Sequence, residues 1–186
     1  MRTTGATSGL AQHYRGNWGQ IGENCPFAAG PVQQLPVDFE VLRFKPTDTR
    51  PVWTYATVGM SQPSEPNATE LHIFAPEASP SIVELLYATA HFHRTASPLG
   101  VGHSVNFGRP WLPGSSCDHG LVSLPYLDGP RLEDAWIDGV PVRCLWLIPI
   151  TASEVAFKRS EGLDALEARF DDGPIEYANP LRDAFA

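Results

Sequence analysis

The sequence predicts a single α/β (α+β) domain in which a mixed β-sheet is packed against helices. Residues 140–150 alternate in the manner of a long buried strand, and apolar residues between Ile82 and Ala96 recur at helical spacings of three and four. Strands and helices are interspersed without strict βαβ alternation, which favours a mixed sheet over a wholly parallel one. The 186 residues, 42% of them hydrophobic, suffice for one core without staples.

We predict two parts along this single domain, an N-terminal arm over residues 1–36 and the domain proper over residues 37–186. Residues 1–9 are rich in Gly, Thr and Ser and should be frayed. A short helix is predicted from Leu10 to Trp18, and the Pro- and Gly-rich stretch from Cys25 to Pro36 should be irregular.

Alternation of apolar and polar residues predicts the shorter strands. They are expected over residues 37–44, 52–58, 70–74 and 121–127. In the second of these, Trp53 and Tyr55 share one face of the sheet, and a polar loop follows from Gly59 to Asn67. The stretch from Gly100 to His119 is rich in Gly and Pro and is predicted to be a loop.

One helix is predicted clearly between these strands. Pro80 suits its first turn and Ser79 its N-cap, and the stripe that starts at Ile82 gives it an apolar face. The Pro98-Leu99-Gly100 sequence should terminate this helix.

The last third of the chain contains the strongest local signals. Asp138-Gly139 is typical of a two-residue hairpin turn, and both faces of the strand after it are apolar, so this strand should be central. Thr151 and Glu154 have the spacing of a capping box, which predicts a helix from Ala152 to about Glu161. Beyond the break at Gly162, a second helical stripe leads to a turn over residues 171–174.

The bulk composition excludes several classes of partner. Thirteen basic and 21 acidic residues give a net charge of −8, which repels phosphate and argues against nucleic acid. Such a charge favours a basic protein partner. Three widely spaced cysteines indicate a reducing, cytoplasmic location, and we expect neither a signal peptide nor a membrane span.

Four histidines suggest metal chemistry but do not have the spacing of a metal site. His91 and His93 are two residues apart, so on a helix they lie on opposite sides of Phe92. His103 and His119 lie in the predicted loop without a regular zinc-binding pattern. We therefore predict no metal and no cofactor, with a metal-dependent or other hydrolase built on these four histidines as the alternative.

No nucleophile motif accompanies the histidines. A GxSxG sequence is lacking, and Ser61 is interpreted as a residue that caps a turn. The glycines between Gly100 and Ser104 follow a helix, whereas a phosphate site needs a loop that opens onto a helix N-terminus. The sequence therefore predicts a protein that is not an enzyme.

Two aromatic residues are candidates for a binding surface. Tyr55 has a stiff side chain with a polar tip, which suits a surface cleft. Trp111 lies in an Arg-Pro-Trp-Leu-Pro segment and is interpreted either as an interface anchor or as a lid over the core. Trp53 is expected in the core.

Several segments, in order, resemble the Suppressor of fused family, and the bacterial members in particular. They are Trp53 to Ser61, Glu70 to Phe74, the helix with Glu84-Leu85-Leu86, Gly102-His103-Ser104, Leu145 to Glu154 and Gly162 to Glu167. The resemblance covers roughly residues 37 to 186. It implies a compact α/β domain without a known catalytic centre, whose animal members bind a transcription-factor peptide as an added strand between this domain and a second lobe. We expect no second lobe in this sequence.

The resemblance also implies a function and a place for it. Bacterial members often resemble immunity proteins, so we predict a protein or peptide partner, with a toxin that the domain neutralises as one candidate. The predicted partner-binding residues are Tyr55, Ser61, Gln62 and Trp111, in a groove beside an open sheet edge and the loop from Ser61 to Asn67. An alternative is that Pro63 and Pro66 only protect that edge from aggregation.

Overall fold

The computed structural model of the chain describes residues 4–30, 32–62, 65, 67–172 and 176–185. Within these residues, eight strands form one mixed sheet and five α-helices pack against it, which confirms the predicted fold class. The strands are β1 (Glu23–Asn24), β2 (Glu40–Phe44), β3 (Trp53–Val58), β4 (Thr69–Ala75), β5 (Ser104–Asn106), β6 (Cys117–Ser123), β7 (Asp134–Ile137) and β8 (Val140–Thr151). The helices are α1 (Thr4–Trp18), α2 (Pro80–Thr95), α3 (Pro130–Glu133), α4 (Ala152–Glu161) and α5 (Leu163–Asp171), and a 3₁₀ turn spans Val32–Gln34.

Strand β8 is central, as the apolar pattern on both of its faces predicts. The strand order is β1-β2-β3-β4-β8-β6-β5, and β7 forms a hairpin with the start of β8. The neighbours β4 and β8 run parallel, and the other pairings are antiparallel. Both residues of the Asp138-Gly139 turn have positive φ, 51° and 80°, as a type I′ hairpin turn requires.

The two faces of β8 belong to different parts of the core. Leu145 and Leu147 point to the side that α2 covers. On the other side, Cys144 packs near α1, and Trp146 packs with α4 and α5. The alternation along one strand therefore separates two helical layers with the sheet between them.

Helix α2 begins as predicted but buries a different stripe near its end. The Ser79 hydroxyl accepts a hydrogen bond from the Ser81 amide at 3.2 Å, and Pro80 occupies the first turn. Ile82 and Leu85 are buried, whereas Phe92 is exposed. His93 takes the buried position in the last turn, because two polar partners satisfy its ring there.

The capping box at the start of α4 is confirmed. The Thr151 hydroxyl accepts from the Glu154 amide at 3.2 Å, and the Glu154 carboxylate accepts from the Thr151 amide at 2.7 Å. The helix ends at Glu161, and Gly162 with φ of +97° leads directly into α5. An ordinary side chain would be strained at that φ.

Some predicted boundaries are wrong. Helix α1 starts at Thr4 instead of Leu10, so the predicted fraying from residue 4 to residue 9 is not found. The predicted loop from Gly100 to His119 contains β5 and the start of β6. These two strands pair across the connection between Asn106 and Cys117, and local sequence patterns do not reveal pairing over that distance. The predicted strand over 121–127 ends at Ser123. Part of the predicted turn over 171–174 lies outside the described residues.

Substitution of Trp146 tests whether β8 is the central buried strand of the core. It is 1% exposed and packs against Phe74 and Tyr177, whereas Trp136 on β7 is 70% exposed. We expect Trp146→Ala to lower the free energy of unfolding by about 3–5 kcal/mol. The control Trp136→Ala should change it by less than about 0.5 kcal/mol in denaturant titrations. Equal effects would contradict the central position of Trp146.

Candidate functional site

A groove lies beside the loop that follows Ser61, where the resemblance implies a binding site. We call it the histidine groove. Its volume is about 560 Å³, and the ends of α2, β4 and β8 surround it together with the loop after α2. Its lining residues are Glu65, Asn67, Thr69, His93, Arg94, Pro98, Leu99, Gly100, His103, Arg143 and Leu145.

A buried carboxylate, Glu70, holds the turn that leads into this groove. Its two oxygens accept from the amides of Gly59 at 3.0 Å and Met60 at 3.1 Å, and from the Thr57 hydroxyl at 2.7 Å. Gly59 has φ of +82°, which favours glycine. Burial raises the pKa of Glu70 to about 7, although the three donors act to lower it. The turn is therefore fixed by a group that titrates near neutrality.

Ser61 and His93 form a fully used hydrogen-bond network at the edge of the groove. The Ser61 hydroxyl donates to the Thr69 carbonyl and accepts from the Thr69 amide, each at 2.9 Å. The Nδ1 atom of His93 accepts from the Leu99 amide at 2.9 Å, so a neutral ring carries its proton on Nε2. That nitrogen lies 3.1 Å from the Ser61 oxygen and donates to it.

The direction of these hydrogen bonds decides whether His93 can activate Ser61 as a nucleophile. A serine nucleophile needs a histidine nitrogen that accepts the hydroxyl proton. Here the histidine nitrogen donates, and the hydroxyl proton is directed at a backbone carbonyl. Burial lowers the pKa of His93, which keeps the ring neutral. The arrangement fixes the turn and does not activate Ser61.

Two ion pairs stand at the rim of the groove. Arg94 on α2 pairs with Glu65, and Arg143 on β8 pairs with Glu133 at the end of α3. His103 is exposed, and its Nδ1 atom accepts from the Gly100 amide at 3.2 Å. The rim is therefore charged and polar, while Leu99 and Leu145 form an apolar base.

The structure corrects the expectation for Tyr55. We expected an exposed side chain on an open sheet edge, but Tyr55 is 0% exposed and β3 lies between β2 and β4. Its hydroxyl accepts from the Ser79 amide at 2.8 Å, which joins the strand to the start of α2. The polar tip is satisfied inside the protein, so it is not available to a partner.

Of the other predicted binding residues, one keeps a surface position. Trp111 is 1% exposed and donates from Nε1 to the Ser115 hydroxyl at 3.0 Å, which agrees with its interpretation as a lid over the core. Ser61 is buried in the network with His93. Gln62 is partly exposed, and its carbonyl accepts from the Glu65 amide at 2.9 Å. Pro63 and Pro66 lie outside the described residues.

The four histidines of the hydrolase alternative are not brought together. His91 contacts Gln34 at 2.6 Å and His119 contacts Asp118 at 2.7 Å, while His93 and His103 line the groove with the separate partners given above. Over the described ranges, no group of three His, Cys, Asp or Glu side chains is placed to hold a metal ion.

Sequence reasoning missed the role of Glu70. The residue was noted only within a strand motif, yet it is the group that fixes the turn into the groove. A signal was present, because a carboxylate at the start of a strand whose neighbours are all buried must find donors nearby.

Comparison with known proteins identifies the family. The sequence profile of the Suppressor of fused protein (SUFU) family matches residues 36–183. The chain belongs to the Suppressor of fused family. A SUFU homologue from Neisseria gonorrhoeae has 29% sequence identity and a TM-score of 0.86, over 97% of each chain. No match was found among curated protein sequences.

More distant SUFU structures share the fold. The chain in the Sufu–Fu complex is 12% identical with a TM-score of 0.70, over 90% of this chain and 84% of that chain. Drosophila Suppressor of Fused is 14% identical with a TM-score of 0.65, over 91% of this chain and 46% of that chain. Among the described residues of this SUFU family member, no helix has the length and apolarity needed to cross a membrane.

Glu70 gives stability a specific pH dependence. Its folded pKa of about 7 exceeds the unfolded value of roughly 4.3, so the folded state binds this proton more tightly. Its contribution to the free energy of unfolding is complete below about pH 4 and is lost as the pH rises through about 7.

We therefore expect wild type to gain stability relative to Glu70→Gln as the pH falls from about 8 to about 4. The measurement is denaturant unfolding of both proteins over that range. The matched control is Glu161→Gln, since Glu161 is an exposed carboxylate at the end of α4. A constant difference between wild type and Glu70→Gln would show that folding does not raise the pKa of Glu70.

Proposed function

We propose that this SUFU domain is a non-catalytic protein-binding module whose partner docks at the histidine groove. The observation that carries the proposal is the direction of the hydrogen bond between His93 and Ser61. A groove that contains a serine and a histidine is an obvious candidate for hydrolysis, but this histidine donates to the serine. The polar groups thus serve to hold the groove in shape.

The shape of the groove suits a macromolecular contact. Its apolar base of Leu99 and Leu145 is surrounded by ion pairs and by the exposed His103, as an interface has an apolar centre and a polar rim. Gln62 is partly exposed, and its carbonyl accepts from the amide of Glu65, which lines the groove. We assign Gln62 and His103 to the contact surface, and Ser61 to the support beneath it.

The SUFU relatives support a protein as the partner. One structure similar in fold is described as the Sufu–Fu complex. The net charge of −8 favours a partner with basic segments. The three cysteines are free thiols, which supports the reducing, cytoplasmic location expected from the sequence.

The finer form of the proposal is that the partner is a toxin that the domain neutralises. The resemblance to bacterial immunity proteins motivates it. In that case the captured partner should arrest growth when it is produced alone, and co-production of the SUFU domain should restore growth. A partner that leaves growth unchanged would contradict the immunity role and leave protein binding standing.

Site-specific photo-crosslinking tests the groove. A photo-reactive residue at Gln62 or His103, introduced in the native host, should capture the same discrete protein. The same residue at Ala168, which is exposed on α5 away from the groove, should not capture it. Excess unmodified domain should suppress the capture. Equal capture from Ala168, or none from the groove, would contradict the proposal.

A further inference from the structure

A second and larger cavity lies away from the histidine groove and shares none of its lining residues. We call it the arginine cavity. Its volume is about 790 Å³, within the range of small-molecule sites. It is bounded by the end of α1, the β2–β3 connection, the end of β4, the segment before α3, and residues 176–180. The side chains that matter to its chemistry are Trp18, Arg50, Phe74, Asp128 and Tyr177.

Arg50 lines this cavity and leaves one edge of its guanidinium without a protein hydrogen-bond partner among the described residues. The Nε and Nη2 atoms are buried, and no protein group within the described residues hydrogen-bonds to either of them. These two nitrogens form the edge that binds a carboxylate through two parallel hydrogen bonds. The guanidinium also lies over the Trp18 ring, 5.0 Å from its centroid, so the open edge is held in place.

The backbone at Arg50 is held as well. The Thr47 and Arg50 backbones exchange hydrogen bonds of 2.8 and 3.1 Å, and the Thr47 hydroxyl accepts from the Arg50 amide at 3.1 Å. A tight connection between β2 and β3 therefore positions the arginine before any ligand arrives.

Asp128 supplies a complementary acceptor. Its Oδ1 atom accepts from the Trp18 indole at 2.8 Å, whereas its Oδ2 atom is buried and has no hydrogen-bond partner within the described residues. His72 Nε2 lies 3.7 Å from Oδ2, which is beyond hydrogen-bond length. Burial lowers the pKa of His72 to about 3, with Arg50 acting in the same direction, so this ring is neutral.

Arg50 and Asp128 thus line the same cavity, and their opposite charges attract each other although no hydrogen bond joins them. If they served stability alone, their buried nitrogen and oxygen atoms would be expected to be hydrogen-bonded, because a buried polar atom without a hydrogen bond is costly. A ligand that carries both an acceptor pair and a donor would satisfy the two groups at once.

Aromatic side chains supply the rest of the wall. Tyr177 packs edge-on against Trp146 with centroids 4.4 Å apart, and Phe74 lies on the same side of the sheet. Residues near Tyr177 are fixed because Arg182, which donates to the Asn179 carbonyl, is held by the buried Glu154. The apolar part of the cavity is therefore preformed.

We propose that the arginine cavity binds a ligand with a carboxylate, a neighbouring N–H donor and an apolar side chain. The carboxylate takes the Nε–Nη2 edge of Arg50, the N–H donates to Asp128 Oδ2, and the apolar part packs against Phe74 and Tyr177. Free amino acids and the C-terminal residues of peptides share this chemistry. The activity goes beyond protein binding at the groove and does not depend on it.

Three related probes test the chemistry on the full chain by calorimetry and thermal melting. L-Phenylalanine represents the free amino acid, N-acetyl-L-phenylalanine represents a peptide C-terminus, and L-phenylalanine amide lacks the carboxylate. At least one of the two carboxylates should bind and raise the melting temperature, with at least about tenfold higher affinity than the amide. Stronger binding of the free amino acid identifies that source, and equal or stronger binding of the acetyl compound identifies a chain terminus.

Variants test the assigned groups. Arg50→Gln removes the charged guanidinium. It should lower the affinity for the carboxylate probe that binds wild type by at least about tenfold. The control Arg159→Gln, at an exposed arginine on α4, should leave the affinity unchanged. Asp128→Asn can keep the acceptor for Trp18 while removing the one for the ligand, so it should also weaken binding while the melting temperature without ligand stays near wild type.

Three results would overturn the proposal. They are no binding of either carboxylate to wild-type protein, equal affinity for the amide, and equal affinities of Arg50→Gln and Arg159→Gln. Any of them would mean that Arg50 and Asp128 do not form a carboxylate-binding site.

Discussion

A single buried carboxylate, that of Glu154, joins the central strand, the helix after it and the C-terminal segment. It accepts from the Thr151 amide at 2.7 Å, from both terminal nitrogens of Arg182 at 2.8 Å, and from the Phe185 amide at 3.0 Å. Arg182 also donates to the Pro149 carbonyl of β8 at 2.9 Å. Burial acts to raise the pKa of Glu154, but Arg182 and the backbone donors together hold it below its ordinary value. The charge is therefore kept across the neutral range, and the C-terminal wall of the arginine cavity depends on it.

Glu70, which pairs with Cys144 near the start of β8, plays the corresponding role at the other end of that strand. Both acids are fully buried, and both accept from backbone amides that ordinary secondary structure leaves unpaired. They differ in their cations. Glu154 has Arg182, whereas no cation pairs with Glu70 in the part of the chain that the structure describes. This difference explains why one pKa is lowered and the other is raised to about 7.

The sequence predicts those features that are encoded by residues close together along the chain. The capping box at Thr151, the hairpin at Asp138 and the buried strand between them are encoded within a few residues, and all three are confirmed. The position of Tyr55 could not be read in this way. Alternation shows which residues share a face, but it does not show that β2 pairs with the edge of β3 or that α2 packs over the face with Tyr55.

The contacts that build the two candidate sites are further apart in sequence than any periodic pattern extends. Ser61 and His93 are joined across 32 residues, and the Trp18 indole reaches Asp128 across 110 residues. Resemblance to the SUFU family indicated the region of the histidine groove, because it carries information about tertiary position. It gave no such indication for the arginine cavity, which came only from the structure.

The buried polar groups of this domain divide into those that are matched by hydrogen bonds and those with unused hydrogen-bonding capacity. In one set, around Glu70, Glu154 and the Ser61–His93 pair, the donors and acceptors are matched within the protein, so these groups define shape. In the other set, atoms of Arg50 and Asp128 keep hydrogen-bonding capacity that no described residue uses, and so do atoms of Arg43, Thr54, His72 and Trp146. Such unmatched buried atoms reduce stability. Of these residues, Arg50 and Asp128 are the two that line the cavity of about 790 Å³, where the proposed ligand would complete them.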